Sequence, residues 1–74
     1  MPERTLSTGP WTWTVSESSV VLARPREGSS ELLVLAFRSG EERRYLTDFP
    51  VTWAELSDAK LAELWLLAVP LTDL

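Results

Sequence analysis

The sequence predicts an α+β domain: an antiparallel meander of about four strands, followed by one C-terminal α-helix packed on the sheet. Three observations lead there. Residues 48–71 hold the strongest helix signal, half of the four tryptophans and the densest run of large apolar side chains. Residues 32–37 form an unbroken apolar run of strand length. Between residues 11 and 46, short alternating or β-branched runs are separated by Ser, Gly and Pro.

In chain order, residues 1–9 are polar and aperiodic, which predicts a flexible tail ahead of a single domain at 10–74. The sheet of that domain is expected at 11–46 and its helical segment at 53–69. Trp11, Trp13 and Val15 alternate with threonines, the pattern of a half-buried strand at 11–15. Ser16, Glu17 and Ser18 read as a tight connection into a second strand at 19–24, and residues 25–30 as a loop. The third strand, 31–38, is central, and its apolar run wants cover on both faces. Ser39 and Gly40 turn the chain into a fourth strand at 41–46. A two-residue loop there pairs Arg38 with Glu41 and Val34 with Tyr45. A three-residue loop bulged at Gly40 would shift that register by one and flip the faces of the fourth strand. With one helix for two apolar faces, either the sheet curls into a small barrel or a second copy covers it.

Thr52 and Glu55 have capping-box spacing, and Val51 and Leu56 that of a hydrophobic staple. Ser57 and Asp58 supply a second N-cap and an acid suited to the helix dipole. These signals predict a short turn at 53–56 and a main helix at 58–69, with one continuous helix as the alternative. Pro70 ends it. At about 100° per residue, Leu61, Leu64, Trp65 and Ala68 share a core-facing stripe. Leu66 and Leu67 fall outside it and flank Glu63, so they are expected either to tuck into a curved sheet or, the preferred reading, to meet another chain.

A chain of 74 residues makes one domain, with a core that rarely contributes more than about 3–5 kcal/mol. It has no Cys and no His, so a disulfide is excluded, and zinc, haem and imidazole chemistry lose their commonest residues. Oligomerisation is the remaining support. The net charge of −4, with 24% charged and 45% hydrophobic residues, fits a soluble globular domain. Asn, Gln and Ile are absent and six arginines face one lysine, as a GC-rich bacterial coding bias would produce. No apolar signal-peptide core is present, and no apolar run approaches the roughly 20 residues of a membrane span, so a cytoplasmic location is expected.

No nucleophile elbow, phosphate-binding loop, dinucleotide fingerprint or Ca²⁺ loop occurs. Glu41 and Glu42 are adjacent in a strand and so point to opposite faces, which makes them solvated turn residues rather than an acid–base pair. The expectation is a non-catalytic protein with no metal or cofactor. Arg24, Arg26, Arg38, Arg43 and Arg44, with aromatic neighbours, suggest a nucleic-acid-binding sheet as the alternative function. Against it, Arg24 and Arg26 sit about 20–25 Å from Arg38 and Arg43, and acids are interleaved with both groups. Trp53 and Trp65 are expected in the core, whereas Trp11 and Trp13, on the first strand, are candidate contact residues. The reading is therefore a small bacterial protein–protein interaction module, self-associating as a homodimer and serving as an accessory or regulatory subunit. Its candidate interface is Leu66, Leu67, Trp11 and Trp13.

Overall fold

The computed structural model describes residues 2–24 and 28–74, with the side chains of residues 22–24 and 29 outside the description. Four strands, β1 (Glu3–Thr8), β2 (Trp11–Arg24), β3 (Gly28–Ser39) and β4 (Glu42–Leu46), form one antiparallel sheet in the order β1-β2-β3-β4. A 3₁₀ turn (Trp53–Glu55), the helix α1 (Asp58–Leu67) and a second 3₁₀ turn (Leu71–Asp73) follow. The α+β meander is as expected, and the sheet is open, with β1 and β4 as its edges, rather than a barrel.

The four strands are not the expected four. Residues 3–8, expected in a flexible tail, form β1 and pair with β2 from Glu3↔Ser16 to Thr8↔Trp11. Gly9 and Pro10 make the two-residue loop, with Gly9 at φ 62°, where a hairpin asks its first loop residue to be left-handed. β1 has one apolar residue facing the core, Leu6, at 1% exposure, so it has no hydrophobic period to read. Instead of turning at residues 16–18, the chain runs straight through them as part of β2. Alternation places Ser16 and Ser18 on one face and Glu17 on the other, and the indole Nε1 of Trp53 donates to Glu17 Oε1 at 2.8 Å. A carboxylate with a partner can sit on a core-facing position, so nothing forces a turn. β3 begins at Gly28, which absorbs the second half of the expected loop, and residues 25–27 of that loop lie outside the described residues.

The β3–β4 loop has two residues, Gly40 and Glu41, so the pairs are Ser39↔Glu42, Arg38↔Arg43 and Ala36↔Tyr45. The expected pairing of Arg38 with Glu41 is off by two positions. Gly40 has φ 59°, and a loop at Ser39 and Gly40 would have demanded that conformation of a serine. Since the side-chain period is two, no residue changes face.

The helical segment splits as expected into a short turn and a main helix, so the continuous helix does not occur. Ser57 caps α1, its Oγ accepting from the Lys60 N–H at 3.3 Å. The capping box at Thr52 does not form: the Glu55 N–H donates to the Thr52 carbonyl at 2.9 Å, not to its hydroxyl. Val51 is 92% exposed, so there is no staple either. Arg4 takes over this end of the helix. Its Nη1 donates to the carbonyls of Ala54 and Leu56 at 2.8 and 2.7 Å, and its Nη2 pairs with Asp58 Oδ1 at 2.9 Å. α1 stops at Leu67, two residues short of expectation, because Val69 leaves to pair with the β4 edge. The Tyr45 and Val69 N–H groups donate to each other's carbonyls at 2.7 and 2.9 Å. Pro70 favours that extended Val69.

The helix thus ties both outer strands together across one face of the sheet. Leu61 and Ala68 are buried in the core beneath it, with Trp53, Phe37, Leu35, Val15 and Leu6. On the opposite face, Thr5 pairs with Thr14 and Ser7 with Thr12, a surface of hydroxyls. Beside it, Val34 and Ala36 are buried at 0% and 3% exposure within the single chain. The second face of the central strand is covered there without a second copy.

Candidate interaction site

Two kinds of residue meet at the hairpin end of the helix-covered face. Trp11 and Trp13 occupy alternate positions of β2 directly after the Gly9 turn, and Glu42 and Arg44 occupy alternate positions of β4 directly after the Gly40 turn. Both pairs face the helix side, because Trp13 lies opposite Leu6 and Arg44 opposite Phe37, and Leu6 and Phe37 are core residues. Trp65, from the last turns of α1, closes over them. Together Trp11, Trp13, Glu42, Arg44 and Trp65 line a cavity of about 280 Å³ open to solvent.

The walls of this groove are fixed by their own contacts. Trp13 is 5% exposed and its Nε1 donates to Thr8 Oγ1 at 2.7 Å. The Trp13 and Trp65 rings lie 5.6 Å apart at 56°, a tilted geometry within the favoured range for aromatic pairs. The Arg44 guanidinium stacks on Trp65, its Cζ 4.5 Å from the ring centroid, while Nη1 donates to the Trp65 carbonyl at 3.2 Å. That carbonyl is one of the last in the helix, where a cation is favourable. Trp65 Nε1 is buried without a partner among the described residues. Trp11 is different: it is 54% exposed.

The candidate contact residues therefore divide. Trp11 is a surface residue, and Trp13 is a core residue that shows one side to the groove. Leu66 and Leu67, next to Trp65 in sequence, are 70% and 66% exposed, outside the core-facing stripe as expected. Trp53 is fully in the core, and Trp65 is half-buried between core and groove.

The arginines are not one patch. Arg38 and Arg43 lie opposite each other on the face away from the helix, both exposed, and Arg43 is engaged with the turn through Gly40 and Glu42 carbonyls at 2.7 and 3.1 Å. Arg44 is on the helix side against Trp65. Arg26 and the side chain of Arg24 lie outside the described residues. Among the described residues no group of three His, Cys, Asp or Glu is placed to hold a metal ion, and no helix is long and apolar enough to cross a membrane.

Sequence reasoning did not find this groove. It placed Trp65 in the core and treated Glu42 as a turn residue and Arg44 as one of a basic set. The usable signal was parity: Trp11 with Trp13, and Glu42 with Arg44, are each two apart and each follow a glycine turn. No protein-family model matches the chain, and comparison with curated proteins and with solved structures likewise finds no match.

Proposed function

We propose that the chain is a small non-catalytic interaction module that self-associates, most simply as a two-fold homodimer, and works as an accessory or regulatory subunit. The supporting observation is the apolar surface that one copy leaves in water. Leu66 and Leu67 end α1 at 70% and 66% exposure, and Val21 and Leu33, on the part of β2 and β3 that extends past the helix, are 68% and 53% exposed. Scattered exposed leucines are ordinary, but one pair on α1 and one across β2 and β3 of so short a chain support a contact surface. A two-fold interface uses one such patch twice. The buried Val34 and Ala36 lend nothing to this reading, since the chain covers them itself. Nucleic-acid binding has weaker support, because the described arginines divide between two faces and Arg44 is already stacked on Trp65.

Light scattering behind size exclusion tests the proposal. A dimeric mass at micromolar concentration is expected, with the Leu66→Asp, Leu67→Asp double variant monomeric and unchanged in its circular dichroism. A monomeric mass persisting to about a millimolar, where association would contribute only about 4 kcal/mol, refutes it.

A further inference from the structure

We infer that the tryptophan groove is a receptor for a quaternary ammonium group. This goes beyond self-association and does not rest on it. The groove presents three indoles, Trp11, Trp13 and Trp65, and its geometry already holds one cation: Arg44 lies 4.5 Å over the Trp65 ring centroid. That guanidinium is tethered to the Trp65 carbonyl, so it is a wall of the groove and not its occupant. The faces of Trp13 and Trp65 are used in part by each other, whereas Trp11 keeps more than half of its surface open. An indole face is electron-rich and attracts positive charge, most strongly of the three aromatic side chains.

Charge and hydrogen-bond accounting narrow the ligand. Glu42 is exposed at the groove and makes no ion pair among the described residues. An anion would meet this carboxylate and the indoles in a chain of net charge −4, and the Arg44 guanidinium in the same wall is already engaged with the Trp65 ring and carbonyl. A neutral apolar group would strip water from the carboxylate without replacing it. A positive group satisfies both the carboxylate and the rings. Among cations, a primary ammonium brings three N–H donors and a guanidinium five, and among the described residues Glu42 is the one carboxylate lining the groove to receive them. A fully methylated ammonium has no donors to satisfy and exposes only polarised methyl groups, which suit an aromatic wall. At about 280 Å³ the groove is at or below the lower end of ligand pockets, the size of a head group rather than of a nucleotide or a drug-sized molecule.

The test is a titration of the full chain with choline, followed by tryptophan fluorescence and by the indole N–H resonances in ¹H–¹⁵N spectra. A saturable change is expected at millimolar choline, with the Trp11 and Trp65 signals moving most. The uncharged isostere 3,3-dimethylbutan-1-ol should bind at least about fivefold more weakly, the factor that about 1 kcal/mol of cation–π attraction represents. Trp11→Phe, which keeps a ring of weaker quadrupole, should lose less affinity than Trp11→Ala, and Glu42→Gln should weaken binding, all with unchanged circular dichroism. Titration with trimethyllysine amide separates the two sources of the group: tighter binding than choline assigns a side chain of a protein partner, and weaker binding assigns a free small molecule. Equal binding of the uncharged isostere, full affinity in Trp11→Ala, or no saturation at tens of millimolar choline overturns the inference.

Discussion

The two halves of the β2–β3 hairpin are continuous in the chain and opposite in support. In the body, residues 11–16 of β2 pair with β1, residues 35–39 of β3 pair with β4, and α1 covers one face. Beyond that, residues 18–24 pair with residues 28–34 and, among the described residues, with no third strand, so the hairpin runs on as a two-stranded arm. The 41 Å long dimension of the molecule against 25 and 20 Å reflects it. On the helix side, burial follows the support. Val15, Leu35 and Phe37 are fully buried, while Val21 and Leu33 on the same side of the arm are exposed. An isolated two-stranded ribbon is marginal in water, so the arm borrows its order from the body. The body carries stability, and the arm carries surface.

The largest break in that comparison comes from removing β1. Deleting residues 1–9 takes away Leu6 from the core, the Arg4 clamp on the helix start and the strand that shields the β2 edge. A buried Leu→Ala change alone costs about 2–5 kcal/mol, comparable to the whole margin of a small domain. The truncated chain should be unfolded or insoluble at 25 °C by circular dichroism. A truncation melting within a few degrees of the full chain would show that the body is complete without β1.

Next come Trp53 and Trp65, which separate core from groove. Trp53→Ala should cost about 3–5 kcal/mol, since the indole is buried and the Glu17 carboxylate loses its donor on a core-facing position. Trp65→Ala should cost about half as much, because that ring is half-buried and its Nε1 has no hydrogen bond among the described residues to lose. Urea denaturation of both variants measures the difference. A Trp65 variant less stable than the Trp53 variant would move the centre of the core to the groove.

What could be read from the sequence followed the same division. The order of strands then helix, the Ser57 cap, the Leu61 and Ala68 contacts and the exposure of Leu66 and Leu67 all rest on hydrophobic pattern or cap chemistry, which are local signals. β1 was hidden because its single apolar residue, Leu6, gives no period, although the Gly9-Pro10 pair is a turn signal flanked by alternating hydroxyls. The run of β2 through Ser16, Glu17 and Ser18 was hidden because the partner of Glu17 is Trp53, 36 residues away. The register at Gly40 turned on which loop position takes the left-handed conformation, a matter of one glycine. The groove depends on three elements brought together by that register and by the crossing of α1, and no local pattern encodes such a meeting.

The smallest effect on stability, and the sharpest on the comparison, belongs to the arm. Val21 and Leu33 are diagonal neighbours on one face, since Val21 pairs with Glu31 and Leu33 with Ser19. Replacing both by threonine keeps β-branching at Val21 and introduces it at Leu33, so strand propensity is retained while apolar surface is lost. Both sites are mostly exposed, and such changes alter stability by within about 0.5 kcal/mol each, or a few degrees in melting temperature. In a dilute monomer the arm amides should exchange with deuterium far faster than those of Val15 or Phe37, because opening the arm exposes little apolar surface. If a second copy covers the arm, raising the concentration should slow exchange at residues 19–21 and 31–33, and the double variant should abolish that slowing while its melting temperature in dilute solution moves by no more than a few degrees. Arm amides as protected as the body at the lowest concentration would show that the ribbon is stable alone and would end the division drawn between them.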